Sequence, residues 1–389
     1  MKPLVVIPIR QTKRYSQTNN DLPLLVIVFL IVELQPHFYH ALPKAHFNSS
    51  AIIRLLQKGS RMKNEQCTTF IHADDFGITP VQAKEILSLS SSCNGIGALN
   101  SVSIFANSPA FDEAVSLAQP YANRGVLRVC LHLNLVEGPS LSNPERIPLL
   151  VNENGMFKNN FIGLLKLGIV NEHDVFDQLV IECRSQIQRY LSAFPNQQLS
   201  FQLDSHQHVH AIPVVYKALA QALIEENCQV MRLREPIDPL SVYRSSIGDS
   251  SKEPDNTPMA QTHNASIRIP MVNRAKIFLI SALWRKCPVN DIPWSPNRPS
   301  SAPLFSGVAL SGRMDEFNNL LLASFQHEAA RQGRDVEILF HPISVPIKEC
   351  LDPLNAPFAE ACASESRNRE AALIKKLQIS RYCFLPPIN

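Results

Sequence analysis

The chain has 389 residues, 45% apolar and 18% charged, a globular balance that excludes a disordered or fibrous protein. Its net charge of +3 is unevenly placed: residues 1–61 hold eight Lys/Arg and two Asp/Glu, leaving 29 basic (37 − 8) and 32 acidic (34 − 2) residues in the remainder. A mildly acidic body without a basic stripe excludes nucleic acid as a partner.

Residues 22–32, LPLLVIVFLIV, form the one strongly apolar run, about half the ~20 residues that a membrane-spanning helix needs. Arg10, Lys13 and Arg14 precede it in the manner of a secretory signal, but Asp21 and Glu33 bound it and no small-x-small cleavage site follows. Met62 opens MKNEQCTTFIHADDFG, where the charge balance also shifts. Residues 1–61 are therefore expected to lie outside the fold, and 62–389 to form the domain.

From Cys67 the body alternates strands and helices. Cys67–Ala73 is a strand that stops at Asp74-Asp75; Thr79-Pro80 is a helix N-cap followed by proline at the first helical position, with a helix through Lys84–Ser91. Leu99–Phe105 is a strand and Ala110–Ala118 a helix, and Val126–Val136 is a strand carrying His132. Val175–Phe194 has helical periodicity, Leu199–Leu203 leads into DSHQHVH, Val214–Glu225 is helical, and Val230–Leu233 and Val336–Phe340 are strands. The Pro-, Ser- and Asn-rich stretch 235–303, with one helix at Arg274–Lys286, breaks the rhythm and is expected to be an insertion near the active face. About seven such units predict an α/β fold with a parallel sheet closed as a barrel, and the polar residues fall at the strand carboxyl ends, where such folds build active sites. Nine widely spaced cysteines without a CxxC pair fit reduced thiols in a cytoplasmic protein.

Asp204, His206, His208 and His210 alternate, so on a continuing strand all four would face one side. Asp74 and Asp75 end another strand; one can bind a cation while the other handles a proton. One carboxylate and two imidazoles is a facial ligand set with open positions for water and substrate. Cleaving an amide needs a nucleophile, an oxyanion stabiliser and an acid for the leaving nitrogen, which a cation, an aspartate and a histidine can supply.

HADDFG, CLHLNL, LDSHQHVH, MRLRE and FHP occur in this order from about Thr68 onward. In these motifs the chain resembles the YdjC-like carbohydrate deacetylases, which include chitooligosaccharide deacetylases and a hopanoid-associated branch. The resemblance implies an irregular TIM-like (β/α) barrel that hydrolyses N-acetyl groups from amino sugars with a divalent metal, described as Mg2+; ligand preference alone favours Zn2+, Mn2+ or Fe2+. It implies Asp75, His132 and His206 as metal ligands, Asp74 as catalytic base, and His341 as acid or transition-state stabiliser. It also implies Arg232 as an orienting residue and His210 as facing the substrate. His72 stands where the family usually has asparagine, and SGVALSGRM at 306–314 resembles the hopanoid-associated branch. The expected partner is an N-acetylated sugar, with no membrane and with a homodimer as the assembly. The alternatives are a non-catalytic metal- or glycan-binding protein on the same scaffold, and a different metal-dependent hydrolase.

Overall fold

A computed structural model of the chain describes residues 67–245 and 267–377. The apolar run at 22–32 and the rest of residues 1–61 lie outside the described residues. Seven strands run parallel in the order β5-β4-β3-β2-β1-β7-β6. They are β1 (Thr69–Phe76), β2 (Ser101–Ile104), β3 (Arg128–Leu133), β4 (Phe201–Ser205), β5 (Val230–Leu233), β6 (Leu304–Ser306) and β7 (Val336–Phe340). Helices α1 (Pro80–Leu87), α2 (Phe111–Asn123), α3 (Phe161–Val170), α4 (Glu172–Ala193) and α5 (Pro213–Glu225) connect the strands through β5. Then come α6 (Leu240–Ser245), α7 (Met271–Trp284), α8 (Asn319–Gln332), α9 (Ala356–Cys362) and α10 (Glu365–Ile374).

The expected strands and the five expected helices are present within a few residues of their predicted bounds. Thr79 caps α1 as read, its hydroxyl accepting the Gln82 N–H at 3.0 Å. The three-residue β6 and the five helices α3, α6, α8, α9 and α10 are not anticipated by the sequence. Part of 235–303 flanks the sheet: the Val230 N–H donates to the Pro293 carbonyl and the Ser295 N–H to the Val230 carbonyl. No described helix is long and apolar enough to cross a membrane.

The sheet curls into a half-barrel. In the sheet order, β5 lies five steps from β7, about 24 Å in a flat sheet at ~4.8 Å per step. Yet Arg232 in β5 pairs with Asp335 at the foot of β7 at 2.5 Å, and Arg234, just past β5, reaches Glu337 in β7 at 2.7 Å. Only a rolled sheet brings these groups together.

Period-two alternation decides what fills the roll. From β1, Phe70, His72 and Asp74 point inward while Ile71 and Ala73 face the helices. The inward residues of neighbouring strands add Ser101, Ser103, Arg128, His132, Asp204 and Glu337, all buried. Barrel interiors are ordinarily packed with branched apolar side chains; here the middle is an ion network. Arg128 stacks on the Phe70 ring at 3.9 Å and pairs with Glu337 at 2.7 Å. Burial works against charge on Glu337, but Arg234 and Arg128 hold it down to about 2.

A depressed carboxylate contributes stability above its unfolded value and loses it as pH falls through its folded value. Glu337→Gln leaves two buried guanidiniums short of a counter-charge, and is expected to lower the unfolding free energy at neutral pH by about 3 kcal/mol. It should also remove part of the acid loss that the wild type shows between about pH 4.5 and pH 2. Urea unfolding across that range checks both; a variant as stable as wild type would refute the role given to this carboxylate.

Candidate active site

The strand carboxyl ends form the site. β1 breaks its extended conformation at Asp75, whose φ of 58° lies in the left-handed region. The Gln82 side chain holds that turn: its oxygen accepts the N–H groups of Gly77 and Ile78, each at 3.1 Å, and its Nε2 donates to the Asp75 carbonyl at 2.8 Å. Gly77 is required there, since it has φ +88° and a Cβ would lie 2.9 Å from that of Ala114. The turn separates the adjacent carboxylates as the sequence suggested: Asp74 enters the ion network and Asp75 faces the histidines.

Asp75, His132 and His206 converge, with one potential ligand atom from each lying within 4.8 Å of the others. His132 Nδ1 lies 2.5 Å from Asp204 Oδ1 and 3.0 Å from Ser103 Oγ, which leaves its Nε2 for the site. His206 Nδ1 lies 3.0 Å from Asp75 Oδ1. The Nε2 atoms of both rings are buried without a hydrogen-bond partner. Two orphaned imidazole nitrogens beside a carboxylate fit a divalent cation, as does the carboxylate–imidazole support from Asp204. Burial opposes charge on His132, yet Asp74 and Asp204 push it up to about 10. So much surrounding negative charge suits a cation.

Asp74 is held differently. Arg234 grips it with both arms, Nη1 to Oδ2 and Nη2 to Oδ1, each at 2.8 Å. His72 Nε2 at 3.0 Å and Ser103 Oγ at 3.1 Å also meet Oδ1. Burial raises the Asp74 carboxyl, but Arg234 and then His132 bring it well below the usual range. It is therefore ionised at neutral pH. Oδ2 carries only the Arg234 contact, so Oδ2 is the oxygen with capacity for a proton.

Residues 69–383 match the family described as YdjC-like protein. The chain belongs to the YdjC-like family. Among its relatives, the carbohydrate deacetylase of Thermoanaerobacter pseudethanolicus is 30% identical over 177 residues, covering 46% of this chain and 64% of that one. Those of Danio rerio and Xenopus laevis are 29% identical over 171 residues and 31% over 177, covering 43% and 45% of this chain and 50% and 52% of theirs. The chain thus spans about half to just under two-thirds of the length of these relatives.

In this YdjC-like chain the alternating histidines do not lie on a strand. β4 ends at Ser205, and His206–Ala211 is a 3-10 turn in which Gln207 and His208 have positive φ. The turn scatters the rings. His206 alone goes to Asp75. His208 packs edge-on to Phe305 at 5.7 Å, and His210 edge-on to Trp284 at 5.7 Å. The expectation that His210 faces substrate is corrected: it is fully buried, with Nδ1 on Ser205 Oγ at 2.5 Å and Nε2 on the Arg234 carbonyl at 2.9 Å. Both nitrogens are thus used, one on Ser205 and the other on the Arg234 backbone. The orienting role expected of Arg232 likewise moves two residues on. Arg232 binds Asp335 and lies over Phe70, whereas the guanidinium on Asp74 is that of Arg234.

His341 follows β7, and its backbone N–H donates to Glu370 at 2.6 Å. Burial brings its ring down to about 4 against the pull of Asp75, so the imidazole is uncharged at neutral pH. Arg367, in α10, pairs with Asp75 Oδ2 at 2.7 Å. No sequence pattern had pointed to it. Glu137, past β3, accepts from Gln207 Nε2 at 3.0 Å and Asn355 Nδ2 at 2.7 Å, tying the histidine turn to the segment before α9.

Burial, with Asp352 nearby, raises Glu137 to about 8. A raised value means that its contribution to stability is present below the unfolded value near 4.5 and is lost as pH rises through about 8. Glu137→Gln is therefore expected to flatten the fall in melting temperature between about pH 5 and about pH 9. A slope equal to that of the wild type would remove Glu137 as its source.

Proposed function

We propose that this chain is a metal-dependent hydrolase that removes N-acetyl groups from an amino sugar, of the chitooligosaccharide type or an N-acetylglucosaminyl lipid. One observation carries the reading: a carboxylate and two imidazoles with orphaned nitrogens converge beside a separately held aspartate, in a family whose similar members are named carbohydrate deacetylases. Asp75, His132 and His206 would hold the ion, Mg2+ on the resemblance or Zn2+ or Mn2+ on ligand type. Bound there, a divalent cation supplies Lewis acidity, making water more acidic and the acyl carbonyl more electrophilic.

The protein's own groups do the rest. Asp74 takes the proton of the attacking water at Oδ2, while Arg234, His72 and Ser103 hold the carboxylate in place. Asp204 keeps a hydrogen bond on His132 Nδ1, so that Nε2 stays directed at the site. Asp74 passes that proton on to the leaving nitrogen as the C–N bond breaks, so that the amine departs neutral and Asp74 is again ionised, while His341, uncharged, hydrogen-bonds that nitrogen. The buried setting excludes bulk water and strengthens each of these interactions.

The full chain, stripped with a chelator and reloaded with Mg2+, Mn2+ or Zn2+, is expected to release acetate from at least one N-acetylated sugar. Asp74→Asn should keep metal affinity and lose at least about 100-fold in turnover; His206→Ala should lose both. An Asp74→Asn enzyme with full activity would sink the assignment of the base. Metal-loaded protein inert on chitooligosaccharides and N-acetylglucosaminyl lipids alike would favour a binding protein on this scaffold.

A further inference from the structure

We infer that Arg367 is a substrate-contacting residue whose Nη1 donates a hydrogen bond to the acyl oxygen of the substrate and, after cleavage, to the carboxylate product. The inference rests on the deacylase reading above and adds a group to it.

The Asp75 carboxylate touches three side chains, those of His132, His206 and Arg367. Each of the three carries a buried nitrogen that makes no hydrogen bond: Nε2 of His132, which lies 3.4 Å from Asp75 Oδ1, Nε2 of His206 and Nη1 of Arg367. An orphaned buried polar atom costs about 1–3 kcal/mol, more where the group is charged, so three around one carboxylate are the outline of a polar ligand. The two imidazoles can present lone pairs to a cation. Arg367 cannot: a guanidinium is always charged and has only N–H donors. Its unpartnered N–H therefore calls for an acceptor oxygen beside the cation, and that oxygen also screens the two positive charges from each other. The oxygen of an acyl group or a carboxylate meets both requirements.

The arm is fixed in advance of any ligand. Nη2 donates to Asp75 Oδ2 at 2.7 Å and Nε to the Ala361 carbonyl at 3.0 Å, with the side chain 7% exposed. The Arg367 carbonyl accepts the Ile343 N–H at 3.2 Å, and Glu370 one turn later accepts that of His341. Helix α10 thereby sets His341 and Asp75 in one frame, with Nη1 left over. Preorganised donors of this kind act where charge develops on the acyl oxygen.

Acetate serves as the probe, since it is the product carboxylate and its binding needs no turnover. In calorimetric titrations of the Mn2+-loaded full chain, Arg367→Lys and Arg367→Met are expected to weaken acetate binding at least about tenfold. Mn2+ affinity of Arg367→Lys should change less than about threefold, because the charge opposite Asp75 remains. On a sugar that the wild type deacetylates, Arg367→Lys should lower kcat at least about 100-fold with KM little changed. Unaltered acetate affinity, joint loss of Mn2+ and acetate in Arg367→Lys, or no acetate binding by the wild type would each overturn the inference. Should both variants fail to fold, a crystal structure of Mn2+-loaded wild type with acetate decides: an acetate oxygen on Nη1 supports it and acetate seated elsewhere refutes it. Arg367-dependent acetate binding in a protein that cleaves no acetylated sugar would count against the deacetylase reading and leave this contact standing.

Discussion

Arg234 stands just past the edge strand β5 and holds Asp74 of β1, Asp204 of β4 and Glu337 of β7, at 2.8, 2.8 and 2.7 Å. A planar fork with five donors is the side chain suited to three carboxylates at once; an ammonium could not copy it. Through these contacts the guanidinium fixes the curl of the sheet, the orientation of Asp74 and, by way of Asp204, the tautomer of His132. The fold and the candidate site thus share one buried ion network.

Such a network is a costly way to fill a barrel. Each charge loses its hydration, and only close geometry with every partner in place offsets that loss. Apolar packing of the same volume would be at least as stable, so the arrangement is better understood as a device for precision than for stability. It holds Asp74 and Asp75, neighbours in sequence, in opposite electrostatic settings: one against Arg234 and His72, the other against Arg367 and His206. Both remain ionised although buried, the condition for a proton acceptor and a cation ligand to sit side by side.

What the sequence made legible follows from what is local. Strand and helix periodicity, the Thr79 cap and the polar strand ends are short-range signals, and they placed Asp74, Asp75, His132 and His206 on one face of a barrel. The three-residue strand β6 is too short to show a period, and helices such as α10 carry little apolar patterning. The histidine turn is not legible because alternation implies a strand only while the strand lasts, and β4 ends at Ser205. Positive φ at Gln207 and His208 is a backbone choice that the side-chain pattern does not encode. Arg232 and Arg234 both point into the roll by period two, and which of them meets Asp74 depends on strand register, a tertiary fact. Arg367 lies 292 residues from its partner Asp75; only the packed structure joins them.

Left-handed non-glycine residues gather at these strand ends: Asp75 in the last turn-like step of β1, Gln207 and His208 after β4, and Ile343 after β7. For isoleucine, branched at Cβ, φ of +71° is an outlier that local energetics would not select. Each turn has an external clamp. Gln82 holds the backbone of Asp75, Glu137 holds the Gln207 side chain, and α10 holds the 341–344 segment through the Arg367 carbonyl, Glu370 and Asn368. Strain of about 1–3 kcal/mol per residue persists only where surrounding contacts over-determine the backbone. The clamps come from elements packed over the strand ends, not from the strands themselves. A barrel supplies the common face and His132 of β3, but the helices and loops laid across it turn three strand ends inward and bring an aspartate, two histidines and an arginine together.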